Sequence, residues 1–505
     1  MATLITFARN DGESMQQHPR YKKTTYFLFS LLGIAILSVL FSLSYTYPLT
    51  LGKRSLLYSD YGKFYHSQRL MIEGKNIYSP IYFIKNKKSS EPGRALLAKP
   101  ESNPKHAIRL AGNLNPPFFT LISFPFAYLS YTHALLLWTF FSMLAGCLSI
   151  LLIQQKLDPP SLNSLPTCLL LLIAFISYFP TFATLQFGQV SLILLPFLVL
   201  AWRAAHEQKS TTAAIFLGLA TSLKPFIALF LLYFLIRKEW RALWIFIVTI
   251  LICALLAAAF LGVNTYYAYY QLSHQIAWAA SNWNVSIYGI LLRLIGGTEA
   301  NTPLIPLHGL FTGAYLFLSS LLLLALYWFL RPIKGVDPQK KTDLDFSFIL
   351  IAMLLLSPLG WMYYFPFLSI PFLILWHFSK KGFYPIALPL LLAALLLLSN
   401  IPITLIPTNQ INANNALAVF LGAMLYFAVL IGSMSLLFVM RRLIKKQPAP
   451  DFERIPFGLL LLVYIVVFLP SIFGITKTTN SWMRYAVNYS TEYTLISHQD
   501  NTAYR

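Results

Sequence analysis

Apolar runs of roughly 15 to 25 residues recur along the chain, and short basic stretches separate them. About 20 residues at a rise of 1.5 Å cross the ~30 Å hydrocarbon layer of a bilayer, so each run predicts a membrane helix. The first, Thr25 to Tyr47, is too long for a signal-peptide core and carries no small-residue cleavage site, so it reads as a retained anchor. Arg9, Arg20, Lys22 and Lys23 precede it and place residues 1–24 in the cytoplasm. A first outer loop follows over residues 48–132.

That loop holds Asn115-Pro116-Pro117-Phe118 and a short apolar stretch ending at Ser130. Counting the stretch as a span would put the later basic loops outside. Its brevity and its prolines favour a helix lying in the outer interface. Further spans are then expected at His133–Gln154, Leu165–Pro180, Gly188–Trp202 and Thr211–Arg237, the last broken at Lys224-Pro225 into two short helices. More follow at Leu243–Leu261, His308–Leu330, Phe346–Leu356, Phe365–His377, Tyr384–Ser399, Ala416–Met440 and Pro456–Phe473. The expectation is an all-α polytopic membrane protein with about 13 transmembrane helices by hydropathy windows. Its organisation is a main transmembrane module over 25–378, C-terminal helices over 379–474 and an outer tail over 475–505.

Composition agrees. Of 505 residues, 57% are hydrophobic and 11% charged, against about 25% charged in soluble domains. The net charge of +21 would suggest nucleic acid on a soluble protein. Here the basic residues flank apolar spans and form no extended stripe, which argues against nucleic-acid binding and for membrane lipids as partners. Cys147, Cys168 and Cys253 lie inside apolar runs without metal-ligand spacing or a pairing framework. No histidine or acid cluster predicts a metal site, and no glycine-rich loop predicts nucleotide use.

All 17 Asp and Glu residues fall outside the apolar runs, which counts against a proton-driven carrier. The outward acids are Asp60, Glu73, Glu91, Glu101, Glu299, Glu492 and Asp500. Asp60 follows the first span closely, and Tyr58 to Gly74 has helical spacing, with Asp60 and Phe64 on one face and Tyr61 and Tyr65 on another. Asp60 reads either as a helix N-terminal residue or as a catalytic acid or base. Lys224, between two short apolar helices, either faces a cavity and holds a lipid phosphate or snorkels to the interface. The outward amides Asn115, Gln186, Gln189, Asn282 and Asn284 could bind sugar hydroxyls or serve in packing. Trp361, Tyr363 and Tyr364 could form a platform for a sugar or prenyl chain, or an interfacial aromatic belt.

Several motifs together resemble glycosyltransferase family 87, the polyprenyl-phosphate-mannose-dependent group of GT-C enzymes. They are Ser59-Asp60-Tyr61 with Phe64-Tyr65 and Gly74-Lys75-Asn76-Ile77-Tyr78; Asn115-Pro116-Pro117-Phe118; Phe187-Gly188-Gln189-Val190; Ser222-Leu223-Lys224-Pro225; Asn284-Val285-Ser286; and Ser357-Pro358-Leu359-Gly360-Trp361. The resemblance implies a GT-C fold with a periplasmic juxtamembrane helical loop, and a hexose donor carried on polyprenyl phosphate. It implies transfer of a mannose-like sugar to a lipid or glycan acceptor, with no cofactor and no metal. Asp60 is then the catalytic base, and Lys224 holds the donor phosphate, with Arg109 and Lys63 as further candidates. Tyr65, Asn115, Gln189, Asn284, Trp361 and Tyr364 are expected to bind sugar or acceptor. The family often shows histidine after the Ser-Pro-x-x-Trp motif, where this chain has Tyr363 and Tyr364. A bacterial inner membrane with the active site on the periplasmic side is the expected location. The alternatives are a lipid-linked sugar flippase and a polyprenyl-diphosphate glycan polymerase or ligase.

Overall fold

The computed structural model describes residues 60–79, 81–85, 107–110, 112–157, 165–273, 279–280, 283–297, 303–380, 416–444 and 493–496. The N-terminal segment 1–24, the anchor Thr25–Tyr47 and the expected spans Tyr384–Ser399 and Pro456–Phe473 lie outside the described residues.

Helix α1 (Asp60–Ile72) opens the description. Strands β1 (Ile81–Lys85) and β2 (Ala107–Leu110) then pair antiparallel, with Tyr82 opposite Arg109. The β-branched and aromatic run Ile81-Tyr82-Phe83-Ile84 suits a strand. Helix α2 (Pro117–Ser123) has its proline at the first turn, where no N–H is missed, and runs on as a 3-10 turn over Phe124–Tyr128. The two together reach roughly 18–20 Å, well short of ~30 Å, so this stretch is too short to span. Helix α1 packs on it: Gln68 Nε2 donates to Ser123 Oγ (2.9 Å), Arg69 to the Ala127 carbonyl (3.2 Å) and Tyr65 Oη to the Leu129 carbonyl (2.8 Å).

The bundle follows as α3 (Tyr131–Leu157), α4 (Leu165–Ser177), α5 (Phe179–Phe187), α6 (Ser191–His206) and α7 (Ser210–Leu223). After Lys224 a 3-10 turn, Pro225–Leu229, leads into α8 (Phe230–Ile236) and α9 (Trp240–Leu261). Then come α10 (Asn264–Ser273), α11 (Ile287–Leu291) with a π turn over Leu292–Gly296, α12 (His308–Leu330) and α13 (Pro338–Leu356). A 3-10 turn over Met362–Leu368, α14 (Ser369–Lys380), α15 (Ala416–Leu443) and β3 (Tyr493–Ile496) complete the described elements. β3 adds to the free edge of β1, giving a sheet in the order β2-β1-β3, a small exception to the helical class.

Among the described residues, four helical segments are long and apolar enough to cross a membrane: Tyr131–Leu157, Trp240–Leu261, His308–Leu330 and Tyr426–Leu443. The apolar run Leu165–Pro180, expected to be one span, instead divides at Tyr178, because the ring of Pro180 starts a new helix at its first turn. The break at Lys224 matches the pre-proline expectation: Lys224 is extended, at φ −148° and ψ 106°.

The centre of the bundle is α13, in which every residue from Lys341 to Leu355 is buried. A helix that is buried all round belongs inside a bundle. Helices α9 and α12 bury only a narrow stripe and present Trp244, Leu255, Phe260, Leu310, Phe317 and Leu324 outward. Lipid tails are as apolar as leucine, so helix association here rests on close packing and hydrogen bonds. At Gly218 of α7, a Cβ would lie 2.7 Å from that of Thr249 on α9, so the two backbones meet directly. Hydroxyls at Thr139, Ser149, Thr221 and Thr249 donate to carbonyls four residues back, so no hydroxyl among them is left unbonded in the bundle.

The helix containing Phe346–Leu356 begins earlier than the apolar run, at Pro338, capped by Asp337, whose carboxylate accepts from the Gln339 N–H (2.9 Å). Asp343 and Asp345, which precede the apolar run in the sequence, are therefore inside the helix and buried in the bundle. Both are paired. Asp343 accepts from Trp202 Nε1 (2.9 Å) and lies 2.7 Å from His206 Nδ1. Asp345 meets Arg237 (3.1 Å) and Lys341. This network sits at the α13 N-terminus, about 18 Å along the helix from Ser357 at its other end.

Candidate active site

Asp60 is the first residue of α1, where a carboxylate suits the exposed N–H groups and the positive end of the helix dipole. Its two oxygens have different partners. Oδ1 lies 2.6 Å from Lys63 Nζ, one turn on, and Oδ2 accepts from Gln189 Nε2. Asp60 and Lys63 keep 21% and 22% of their side chains exposed, so solvent or substrate reaches the pair.

Gln189 arrives by a tight turn. Helix α5 ends at Gly188, which is left-handed (φ +63°), and the Gly188 and Gln189 N–H groups close back on Leu185 and Thr184. A Cβ at Gly188 would lie 2.5 Å from that of Tyr61, so only glycine lets the turn sit against α1. The Gly188 carbonyl accepts from Trp138 Nε1 (2.9 Å), which ties the turn to α3. Tyr61, fully buried, packs against Trp138 with ring centroids 5.3 Å apart.

Lys224 comes from the break between α7 and the Pro225 turn. Its ammonium donates to Asn115 Oδ1 (2.5 Å) and stands 5.8 Å from the centre of the Tyr364 ring. Lys224 feels the charges of both Asp60 and Lys63. Asn115 is buried and tightly placed. Its N–H donates to Asn113 Oδ1 (3.0 Å), its carbonyl accepts from Tyr78 Oη (2.7 Å), and its Nδ2 has no protein partner among the described residues.

Tyr364 packs on Phe226 (4.8 Å) and Tyr363 (4.9 Å), and Trp361 stacks on Tyr363 (5.8 Å). Both tyrosines are electrostatic neighbours of Asp60. The Tyr363 carbonyl accepts from Thr184 (2.8 Å) and Ser191 (2.5 Å), which anchors the aromatic wall to the turn that carries Gln189. The structure thus gathers Asp60, Lys63, Gln189, Lys224, Asn115 and Tyr364 at one place, with Trp361 behind them.

Other expected site residues stand elsewhere. Tyr65 spends its hydroxyl on the Leu129 carbonyl, and burial raises its pKa. Asn284 is fully buried, and its Nδ2 donates to the carbonyls of Ala279 and Pro358 (2.8 Å each). It joins two loops, since Val285 N–H donates to the Gly360 carbonyl and Met362 N–H to the Trp283 carbonyl (2.9 Å each). Arg293, also buried, donates to the Asn284 carbonyl (2.8 Å). Arg109 sits on β2, and its side chain lies outside the described residues. Asn282 is outside them as well.

Sequence reasoning gave no role to Tyr78 or Tyr269, whose rings meet at 5.5 Å beside Asn115. Tyr269 is also an electrostatic neighbour of Tyr364, so the Tyr-rich α10 closes another side of the site. Burial pushes the Tyr269 hydroxyl up to about 12, so it stays protonated as a donor. The only sequence signal for α10 was its density of tyrosine.

No curated protein and no solved structure matches the chain. The model of glycosyltransferase family 87 matches residues 113–358. The match covers Asn115, Gln189, Lys224 and Asn284; Trp361 and Tyr364 lie just past its end, and Asp60 and Lys63 lie well before its start. The segment that carries Asn115, the turn with Gln189, Lys224 and the buried central helix matches glycosyltransferase family 87, and that match supports a glycosyltransferase.

Proposed function

We propose that this enzyme transfers a hexose, mannose-like, from a polyprenyl-phosphate donor to a lipid or glycan acceptor at the outer face of a bacterial inner membrane. The observation that carries the reading is one solvent-reachable carboxylate, Asp60, with two ammonium groups around it and an aromatic wall behind.

The donor already has phosphate as its leaving group, so transfer needs no strong general acid. It needs a base for the acceptor hydroxyl and cations for the departing phosphate. Asp60 takes the proton. Lys224, held by Asn115 and Tyr364, stabilises charge as it grows on the phosphate. The free Nδ2 of Asn115 is a donor beside that ammonium, suited to a phosphate or sugar oxygen. Gln189 fixes the rotamer of Asp60, and Tyr364 with Trp361 offers faces for a sugar ring or prenyl chain. Asn284 serves by joining the loop before α11 to the Trp361 loop. Inversion at the anomeric carbon follows from a single displacement.

Pairing of β3 with β1 supports the side assignment, because it brings residues 493–496 of the tail against the first loop, as an odd number of spans requires.

The test is turnover of a radiolabelled polyprenyl-phosphate hexose by membranes containing the full chain, with total lipid extract as acceptor. Asp60→Asn should lower the rate by about 10²–10⁴, the usual worth of a general base. Near-normal transfer by that variant would remove the base role, whereas absence of transfer by the unmodified chain is the result a flippase would give.

A further inference from the structure

The two cations of the site are held differently. Lys224 is fixed by Asn115 Oδ1 and lies close to the Tyr364 ring. Lys63 has only the Asp60 carboxylate as partner among its hydrogen bonds and ion pairs in the described residues, on a long stem at the edge of the site. The other Asp60 oxygen is bonded to a neutral amide, Gln189. Two ammonium groups thus stand in the electrostatic neighbourhood of one carboxylate, and only Lys63 is paired with it.

Charge moves during the proposed transfer. The donor phosphate is a diester with a single negative charge. The bond from the sugar anomeric carbon to the phosphate oxygen breaks, and both electrons stay with that oxygen, leaving a monoester dianion. The acceptor oxygen bonds to the anomeric carbon, and its proton passes to Asp60, which becomes neutral. One unit of negative charge thus leaves Asp60 and appears on the phosphate. A cation held only by Asp60 loses its partner at the moment the phosphate gains charge.

We infer that Lys63 is a mobile counter-ion, paired with the Asp60 carboxylate before transfer and with the departing phosphate after it. This rests on the donor and base assignments of the preceding section. Lysine suits the task, since its ammonium is a compact charge with three rotatable donors on a flexible stem.

The experiment measures binding of farnesyl phosphate, a monoester like the product, to the purified full chain by calorimetry. Four variants are compared: Asp60→Asn, Lys63→Met, the double variant and Lys63→Arg. Loss of a charge-assisted bond predicts about tenfold weaker binding in Lys63→Met. Asp60→Asn frees Lys63 and should tighten binding by a similar factor, about tenfold. In the Lys63→Met background the same Asp60→Asn change should tighten binding far less. Lys63→Arg should restore most of the affinity. Equal tightening by Asp60→Asn in both backgrounds would show simple repulsion between carboxylate and phosphate, and would overturn the inference. Unchanged binding in Lys63→Met would reduce the pair to a surface contact and overturn it as well. Transfer by Asp60→Asn is scored separately: its persistence refutes the base assignment, whereas the binding cycle refutes the counter-ion role alone.

Discussion

Substitution of Gly188 by alanine is the sharpest test of how the site is assembled. The residue has φ +63°, and an added Cβ would lie 2.5 Å from the Tyr61 Cβ and 3.3 Å from its Cγ. A left-handed conformation costs a non-glycine residue about 1–2 kcal/mol. The overlap adds about 1–3 kcal/mol, because Tyr61 is fully buried against Trp138 and cannot swing away. The total, about 2–5 kcal/mol, exceeds what one hydrogen bond returns, so the turn shifts and Gln189 leaves Asp60. If the site absorbs the strain, transfer falls by roughly 30-fold to 4 × 10³-fold at 1.4 kcal/mol per decade. If the bundle absorbs it, the melting temperature in detergent falls instead. The assay is labelled-donor turnover with a melting curve on the same preparation. Gly313→Ala in α12, where a Cβ meets nothing within 4 Å, is the control and should be neutral. Wild-type turnover together with an unchanged melting temperature in Gly188→Ala would refute the reasoning.

Three further outcomes are expected. Lys224→Ala should raise the donor KM about tenfold or more, the worth of a charge-assisted bond, and unchanged donor affinity in a binding assay would remove its phosphate role. Asp345→Ala leaves Arg237 and Lys341 without their buried carboxylate. It should destabilise the fold by about 3–5 kcal/mol while the surviving protein keeps its donor KM, and kinetic assay of the folded fraction checks this. Burial holds the His66 imidazole down to about 4 from its ordinary 6.5. The folded chain therefore keeps it neutral where the unfolded chain binds a proton, so its contribution is full above about pH 6.5 and is lost as the pH falls towards 4. Melting temperature should drop over that window, and by less in His66→Gln; an equal drop in both would contradict the assignment.

Long apolar runs with basic flanks were enough to specify α3, α9 and α12, because a bilayer imposes length and hydropathy directly on the sequence. The break at Lys224-Pro225 and the short helix after Pro116 were equally legible, since proline acts on its immediate neighbours. Local physics failed at α13. Its buried Asp343 and Asp345 are stable only because Trp202, His206, Arg237 and Lys341 meet them, and three of those four come from other helices. A hydropathy window registers the charge and not its partner, and so starts the helix too late.

The site divides in the same way. Residue chemistry and order along the chain marked Asp60, Lys63, Gln189, Lys224, Asn115 and Tyr364 as candidates. Whether each one faces a substrate depends on where its hydrogen bonds go, and that is a property of packing. Asn284 and Tyr65 carry groups as suitable as those of Gln189, yet their polar atoms are spent on loop carbonyls. Tyr78 and Tyr269 enter because α10 folds back over Asn115. The sequence by itself determined a helical membrane protein and the kinds of group available for transfer. The tertiary structure alone decided that the Asp60–Lys63 pair of α1 meets Gln189 and has Lys224 as an electrostatic neighbour, because α1, the Gly188 turn and the Lys224 break converge only when the helices between them pack.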